Sequence, residues 1–302
     1  MRLRPIGANN LQIFKLNIPL PIALALSVGV LCGWIPDFLA CDYTSFAAAF
    51  PLFFTFALML VNACIVFSMM RATGMVRYRD LLPVFLYLLT TTAFPAIHTW
   101  WQLQACIACT TILVQVILRN YREEENAADS FRATGLALVA SLFVPQAVFL
   151  VPLVWVAYIF LRAMHLRTFL ASMIAIGVFL IYLALTIMLG GIDCPYAGLF
   201  YLPDWQTLIG LPATTDSVFV ISLAVVYGLF VLFHYVLCIV ATVRINRDSA
   251  GQQSLLLLLY LFFLPTATAV FFFRQNRSLA RSITFILYLL LLLIAYTIYL
   301  FA

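Results

Sequence analysis

Long apolar segments alternate in this chain with polar segments, and the basic residues occupy only every second polar segment. All sixteen Lys and Arg residues lie in segments that can share one side of a membrane. The alternate polar segments that contain neither Lys nor Arg are residues 36–45, 98–104 and 190–217. This asymmetry, between apolar segments about as long as a bilayer is thick, is typical of the positive-inside rule for proteins that cross a membrane several times.

The composition excludes a soluble globular domain. Of the 302 residues, 66% are apolar and only 9% are charged, and a single core of this size could not bury so much apolar surface. The net charge of +5 is explained by topology and by contact with anionic headgroups. No basic helix or aromatic-basic module indicates a nucleic-acid partner. We therefore expect residues 1–302 to form a single integral membrane domain.

The apolar runs predict where the chain crosses the membrane. If the N-terminus is cytoplasmic, the first four spans return the chain to the cytoplasm at Arg119, as the basic residues require. The first run resembles a signal peptide, but no convincing small-residue cleavage site follows it, so we interpret it as an uncleaved span. The clear spans are residues 18–35, 46–70, 81–98, 103–118, 168–189, 218–243 and 282–302.

The apolar stretch at residues 133–161 is too long for one span. As one helix its 29 residues would be roughly 43 Å long, against a hydrocarbon core of roughly 30 Å. A single crossing would also place Arg162 and Arg167 on the outer side, against the charge pattern. Two short helices that meet near Pro145 restore the pattern, and Pro145 can break the helix there. We therefore predict a helical hairpin, which is re-entrant if other helices shield it from lipid.

Residues 254–273 leave two alternatives open. They are long enough to cross once, but a single crossing would place Arg274, Arg277 and Arg281 outside. A second re-entrant hairpin would keep these arginines inside. The predicted fold is an all-α polytopic transmembrane helix bundle of about eight to ten hydrophobic segments, with at least one short Pro-broken hairpin.

The predicted spans contain no Asp, Glu, Lys or Arg. Ion-coupled transporters generally place ionisable groups at this depth, so coupled transport is disfavoured. The polar side chains that remain are interpreted mainly as hydrogen bonds between helices, and they are Asn62, Gln115, Gln146, His234 and the threonines at 90–92 and 110–111. Because His234 has no His or carboxylate at i+3 or i+4, no metal or other cofactor is predicted.

The segments without Lys or Arg gather the residues of a candidate site. An ionised Asp can act as a general base, and carboxylates and aromatic planes suit the hydroxyls and rings of a sugar. Asp37 and Asp42 are the candidate catalytic residues. The candidate substrate-binding residues are His98, Trp100, Trp101, Asp193, Tyr196, Tyr201, Asp204 and Trp205. The alternative interpretation is that these residues have only structural roles, because Trp and Tyr collect at membrane interfaces and Asp commonly caps helices.

The stretch from Arg119 to about Leu183 resembles multispan glycosyltransferases of the C-type membrane fold, which use polyprenyl-phosphate sugars. A basic loop, two apolar arms and a basic turn at residues 162–167 precede another span, and the matching residues are Phe131, Gly135, Leu138, Leu142, Phe143, Pro145 and Pro152. The whole chain also resembles an uncharacterised family of bacterial multispan inner-membrane proteins with this hairpin. In the C-type enzymes the first outer loop supplies the acidic residue that activates the acceptor. The resemblance assigns that role to Asp37, with Asp42 in reserve.

The resemblance implies a multi-pass protein of the bacterial inner membrane, with a cytoplasmic N-terminus and a role in cell-envelope glycan or lipid-linked sugar metabolism. Its expected partners are membrane lipids, including a polyprenyl-phosphate sugar. The loop at residues 36–45 departs from those enzymes, whose corresponding loop is long and carries its own helices. Two alternatives stay open. One is a non-enzymatic transporter or flippase of a lipid or apolar solute, and the other is a membrane assembly subunit.

Overall fold

The computed structural model describes residues 20–41, 46–72, 82–93, 98, 100–120, 127–161, 163–190, 196, 217–244 and 279–301. All regular secondary structure in these ranges is helical, which confirms the predicted all-α class. The α-helices are α1 (Leu20–Ala40), α2 (Phe46–Ala72), α3 (Leu82–Thr92), α4 (Trp101–Asn120), α5 (Ala127–Phe143), α6 (Leu150–Phe160), α7 (Leu166–Gly190), α8 (Ser217–Arg244) and α9 (Leu279–Phe301). The stretch at residues 254–273 lies outside the described residues.

The long apolar stretch is broken where the sequence predicted. Helix α5 ends at Phe143, and a 3₁₀ helix over Pro145–Phe149 leads into α6. Val144 has φ −133° and ψ 105°, because the ring of the following proline disfavours the helical conformation for the residue before it. The Ala147 N–H then donates to the Val144 carbonyl oxygen at 2.8 Å, which closes the turn.

Helix α6 carries the chain back along α5, so that α7 runs parallel to α5. Ser130 on α5 donates to the Thr168 carbonyl oxygen on α7 at 2.8 Å, and one turn further along both helices Thr134 bonds Ser172. This order of contacts requires the two helices to run in the same direction. Residues 144–165 therefore return the chain from the end of α5 to a point beside its start.

Helices α2 and α4 run parallel to each other, and α4 runs antiparallel to α5. Phe54 packs edge-on against Trp101, the first residue of α4, with ring centroids 5.6 Å apart. Trp101 also packs against Phe143, the last residue of α5, at 6.1 Å. We call the end of the bundle where these residues meet the Trp101 end. The opposite end, where α5 begins and Arg132 pairs with Asp129 at 3.1 Å, is the Arg132 end.

The exposed surface of the bundle is rich in apolar side chains, and the mainly apolar interior also contains several buried polar residues. Fully buried side chains include the polar residues Asn62, Gln104, Thr111, Thr134 and Ser172. The exposed surface of α7 is apolar, and its exposed residues include Leu170, Ile174, Val178, Ile181, Leu185 and Met188. Water would disfavour so much exposed apolar surface on one helix, whereas a hydrocarbon surrounding accepts apolar side chains and forces polar groups to bond internally.

Two of the described helices, at Ala49–Met69 and Leu166–Leu189, are long and apolar enough to cross a membrane. Only 33% and 11% of the residues in their most apolar windows are buried, so neither resembles the core helix of a soluble protein. Five other apolar helical stretches in the described ranges are shorter, at 10–17 residues. The number of eight to ten membrane segments therefore stays a prediction.

Two helices extend into segments that the sequence predicts to be outer loops. Residues 36–40 belong to α1, because Phe38 packs against Phe53 of α2 at 5.2 Å and the helix continues past Pro36. Residues 101–104 form the first turn of α4 rather than part of a turn. The predicted outer loops at 36–45 and 98–104 are thus shorter than expected, and Asp37 lies on a helix.

Candidate functional site

Asp37 and His98 form a hydrogen-bonded pair at the Trp101 end of the bundle. His98 Nδ1 lies 2.5 Å from Asp37 Oδ2. The Asp37 side chain stands near the end of α1, and His98 lies in the connection between α3 and α4. The pair therefore joins two parts of the chain that are 61 residues apart.

The two side chains differ in their access to the surface. The imidazole of His98 is 1% exposed, whereas the side chain of Asp37 is 30% exposed. A ligand that approaches the Trp101 end can therefore reach the carboxylate of Asp37 but not the ring of His98. Asp37 is therefore the accessible group of this pair, and His98 is its buried hydrogen-bond partner.

Trp34 holds the His98 ring in place. The two rings are stacked, with centroids 3.8 Å apart and planes inclined by 21°. Trp34 is itself 1% exposed, and Phe56 of α2 packs edge-on against it at 5.1 Å. Because this aromatic packing fixes the imidazole plane, Nδ1 is directed at Asp37. A protonated imidazole would also be stabilised by the face of the indole.

The hydrogen bond determines how the histidine is protonated. An ionised carboxylate only accepts hydrogen bonds, so Nδ1 carries the hydrogen and donates it to Asp37. In the neutral ring Nε2 is then the basic nitrogen, and it has no hydrogen-bond partner in the described part of the chain. The same carboxylate–imidazole relationship orients histidine in many proton-transfer sites.

The other predicted site residues occupy the same end of the bundle where they are described. Trp100 and Trp101 are half-buried, and Trp101 packs between Phe54 and Phe143. The hydroxyl groups of Tyr196 and Ser141 are hydrogen-bonded at 2.6 Å, and Ser141 lies near the end of α5. Five of the predicted residues lie outside the described ranges, namely Asp42, Asp193, Tyr201, Asp204 and Trp205.

Two features of this end of the bundle were not predicted from the sequence: Trp34, and a cluster of buried polar side chains near the Asp37–His98 pair. A tryptophan in an apolar run carries no signal that distinguishes an ordinary packing residue from one stacked on a histidine. The cluster joins Asn62 of α2, Tyr87 of α3 and Gln104 of α4 through buried hydrogen bonds of 2.8–3.0 Å. The interpretation of Asn62 as an interhelical hydrogen-bonding residue is confirmed.

The same interpretation was wrong for other polar residues. Thr110 and Thr111 bond carbonyl oxygens of their own helix, as β-hydroxyl side chains commonly do in apolar helices. His234 Nδ1 bonds the carbonyl oxygen of Phe230, also within its own helix, at 2.8 Å. Thr90 does bond across helices, to the hydroxyl of Tyr288 at 2.7 Å. The spacing of polar residues in the sequence does not show whether a side chain bonds its own helix or a neighbouring one.

An apolar groove opens between α2 and α4, on the side of the bundle. Its volume is about 450 Å³, and it is lined by Leu60, Val61, Cys64, Ile65, Ser68, Ile112 and Gln115. Gln115, predicted to bond another helix, lies in the wall of this groove. Within the described ranges, no group of three or more His, Cys, Asp or Glu side chains could hold a metal ion.

Comparison with known proteins adds no relative. No protein-family model, no curated protein and no solved structure matches this chain. The candidate site therefore has to be interpreted from its own geometry and chemistry.

Proposed function

We propose that this protein is a multi-pass protein of the bacterial inner membrane. The support is the apolar exposed surface of α7, the two span-length apolar helices and the absence of Lys and Arg from alternate polar segments. The charge pattern supports a topology with the Trp101 end outside and the Arg132 end, with the N-terminus, in the cytoplasm. The hairpin of α5 and α6 then enters from the cytoplasm and returns to it.

Within that topology, the Trp101 end is proposed as a site for cell-envelope glycan chemistry on a lipid-linked sugar. The observation that carries this proposal is the part-exposed carboxylate of Asp37, held by a buried histidine at 2.5 Å. Trp100, Trp101 and Tyr196 at the same end supply aromatic surface for a sugar ring. The substrate class itself comes from the resemblance to C-type glycosyltransferases that use polyprenyl-phosphate sugars.

The proposed reaction transfers a sugar from polyprenyl phosphate to an acceptor hydroxyl. Asp37 accepts the proton of the hydroxyl, and the hydroxyl oxygen forms a bond to the anomeric carbon. The bond between that carbon and the phosphate oxygen breaks, and the polyprenyl phosphate leaves with the electron pair. His98 donates to Asp37 and so holds the carboxylate in one orientation until the proton arrives.

Native mass spectrometry of the purified protein tests this proposal through the lipids that stay bound. We expect wild-type protein in mild detergent to retain a polyprenyl phosphate or a lipid-linked sugar, and Asp37→Asn to retain less or a different species. Asp129→Asn is the matched control, since Asp129 is a carboxylate in a polar pair at the opposite end. Bulk phospholipid alone in all three samples would refute the glycan proposal.

A non-enzymatic lipid transporter or flippase is the second candidate, and the groove between α2 and α4 is the observation that favours it. The groove is apolar, lies on the side of the bundle and has a volume of about 450 Å³, so an acyl or isoprenoid chain could occupy it from the bilayer. Val61→Trp would fill the groove without touching the Trp101 end. A loss of lipid retention in Val61→Trp together with full retention in Asp37→Asn would favour transport over catalysis.

A further inference from the structure

The polar cluster of Asn62, Tyr87 and Gln104 has a hydrogen-bonding pattern that determines the orientation of both amides. The Gln104 backbone oxygen can only accept, so the Asn62 atom 2.8 Å from it must be Nδ2. Nδ2 also lies 3.0 Å from the side chain of Gln104, and the atom it meets there must be the oxygen Oε1. Tyr87 donates to the same oxygen at 2.8 Å. Neither amide can be flipped without losing one of these bonds.

This orientation leaves one strong acceptor and one strong donor without partners. Asn62 Oδ1 and Gln104 Nε2 are buried and make no hydrogen bond in the described part of the chain. Both residues are 0% exposed. Buried amide groups are nearly always paired, because leaving them unpaired in an apolar interior is costly.

The two unpaired groups complement a hydroxyl. A hydroxyl group donates one hydrogen bond, which Oδ1 can accept, and accepts another, which an N–H of Nε2 can donate. A carboxylate or phosphate would be repelled by Oδ1, and an ammonium group would be repelled by the N–H groups of Nε2. The donor and acceptor together therefore select a neutral group that has both functions.

The cluster lies just inside the apolar interior, beneath the Trp101 end. Gln104 is three residues beyond Trp101, which places it roughly 5 Å along the axis of α4 from that end. Two further buried groups without partners, Trp34 Nε1 and His98 Nε2, lie closer to the same end.

We propose that Asn62 and Gln104 form a buried binding site for a single hydroxyl group, supplied by a water molecule or by a bound lipid. The site lies between α2, α3 and α4 and does not depend on any reaction at Asp37. It would hold a water molecule when no lipid hydroxyl occupies it.

Radiolytic hydroxyl-radical footprinting of the purified protein tests for the water. Side chains next to bound water are oxidised even when they are buried, and Tyr87 donates to Oε1 of the same Gln104 amide whose Nε2 belongs to the proposed site. Tyr288 is the matched control within the same molecule, because it is 0% exposed and its hydroxyl bonds Thr90 at 2.7 Å. We expect several-fold faster oxidation of Tyr87 than of Tyr288 in wild-type protein, and equally slow oxidation in Gln104→Met.

Native mass spectrometry of wild type and Gln104→Met tests whether the hydroxyl belongs to a bound lipid instead of water. If Tyr87 and Tyr288 are oxidised equally slowly but Gln104→Met loses a hydroxyl-bearing lipid that wild type retains, the hydroxyl belongs to that lipid. Equal oxidation together with the same bound lipids in both proteins would overturn the proposal. The wild-type comparison of the two tyrosines decides the water arm even if the variant does not fold.

Discussion

Gly33 of α1 touches the side chain of Thr92 at the end of α3. A Cβ atom added at Gly33 would overlap Thr92 Cγ2, far inside van der Waals contact. The Thr92 hydroxyl donates to the Leu88 carbonyl oxygen at 2.7 Å, and this bond fixes the position of the methyl group. Close approach of α1 to α3 therefore depends on the absence of a side chain at Gly33. The same helix carries Trp34 and Asp37 of the candidate site, so this contact also helps to position them.

Gly33→Ala is expected to destabilise the protein by about 1–3 kcal/mol, because an added methyl group at a packed contact displaces the helices. Gly29→Ala on the same helix is the control. No atom lies within 4 Å of a Cβ built there, so the change should be neutral or stabilising by up to about 1 kcal/mol. Thermal unfolding in detergent measures both. Restored stability in Gly33→Ala combined with Thr92→Ser would identify the contact, and equal effects at both glycines would contradict it.

A double-mutant cycle on Asp37 and His98 should give a measurable coupling energy between the two side chains. Asp37→Ala leaves a buried imidazole without its partner, and His98→Phe keeps a ring against Trp34 but removes the hydrogen bond. Each change should cost about 1–3 kcal/mol, and the double variant should cost less than the sum. Chemical or thermal unfolding of the four proteins in one detergent gives the cycle. Additive effects would show that the two side chains do not interact.

Ser172 should be the main polar contact between α5, α6 and α7. Its hydroxyl bonds Thr134 and accepts from Trp155 Nε1 at 3.1 Å, so Ser172→Ala leaves two groups unpaired. We expect a loss of about 1–2 kcal/mol. Thr186→Val on the same helix is the control, because the Thr186 hydroxyl bonds only carbonyl oxygens of its own helix in the described structure. Equal unfolding temperatures of the two variants would show that Ser172 does not join the helices.

The return of the chain at Pro145 predicts opposite sides for two exposed residues. Gln146, in the 3₁₀ helix, lies at the Trp101 end, and His165 precedes α7 at the Arg132 end. In a background without native cysteines, an impermeant thiol reagent added outside intact cells should label Gln146→Cys but not His165→Cys. In inside-out vesicles the result should be reversed. Labelling of both residues from the same side would rule out the proposed hairpin topology.

Helix positions could be predicted closely from the sequence where they depend on local composition. Residues 46–70 were expected to be helical and α2 occupies Phe46–Ala72, while residues 168–189 were expected and α7 occupies Leu166–Gly190. The break at Pro145 could be predicted because the proline ring acts on its neighbour in the chain. The end of α1 could not, because the helix continues past Pro36 through packing of Phe38 on α2.

Sequence reasoning identified only part of the candidate site. Asp37 and His98 were both singled out, from their occurrence in segments without Lys or Arg, but nothing in the sequence indicated that they bond each other. Trp34 could not be recognised at all, because an apolar residue in an apolar run carries no functional signal. The orientation of the Asn62 and Gln104 amides likewise depends on a backbone oxygen contributed by another helix.

The sequence by itself determined that this protein is helical, apolar on most of its surface and asymmetric in charge. These properties are sums over neighbouring residues, so they can be derived without knowing which helices touch. Only the tertiary structure decided that α5 and α7 run parallel, that Gly33 contacts Thr92 and that the buried His98 is hydrogen-bonded to Asp37. Each of these pairings depends on distances of a few ångströms between residues far apart in the chain, and apolar periodicity is compatible with many such arrangements.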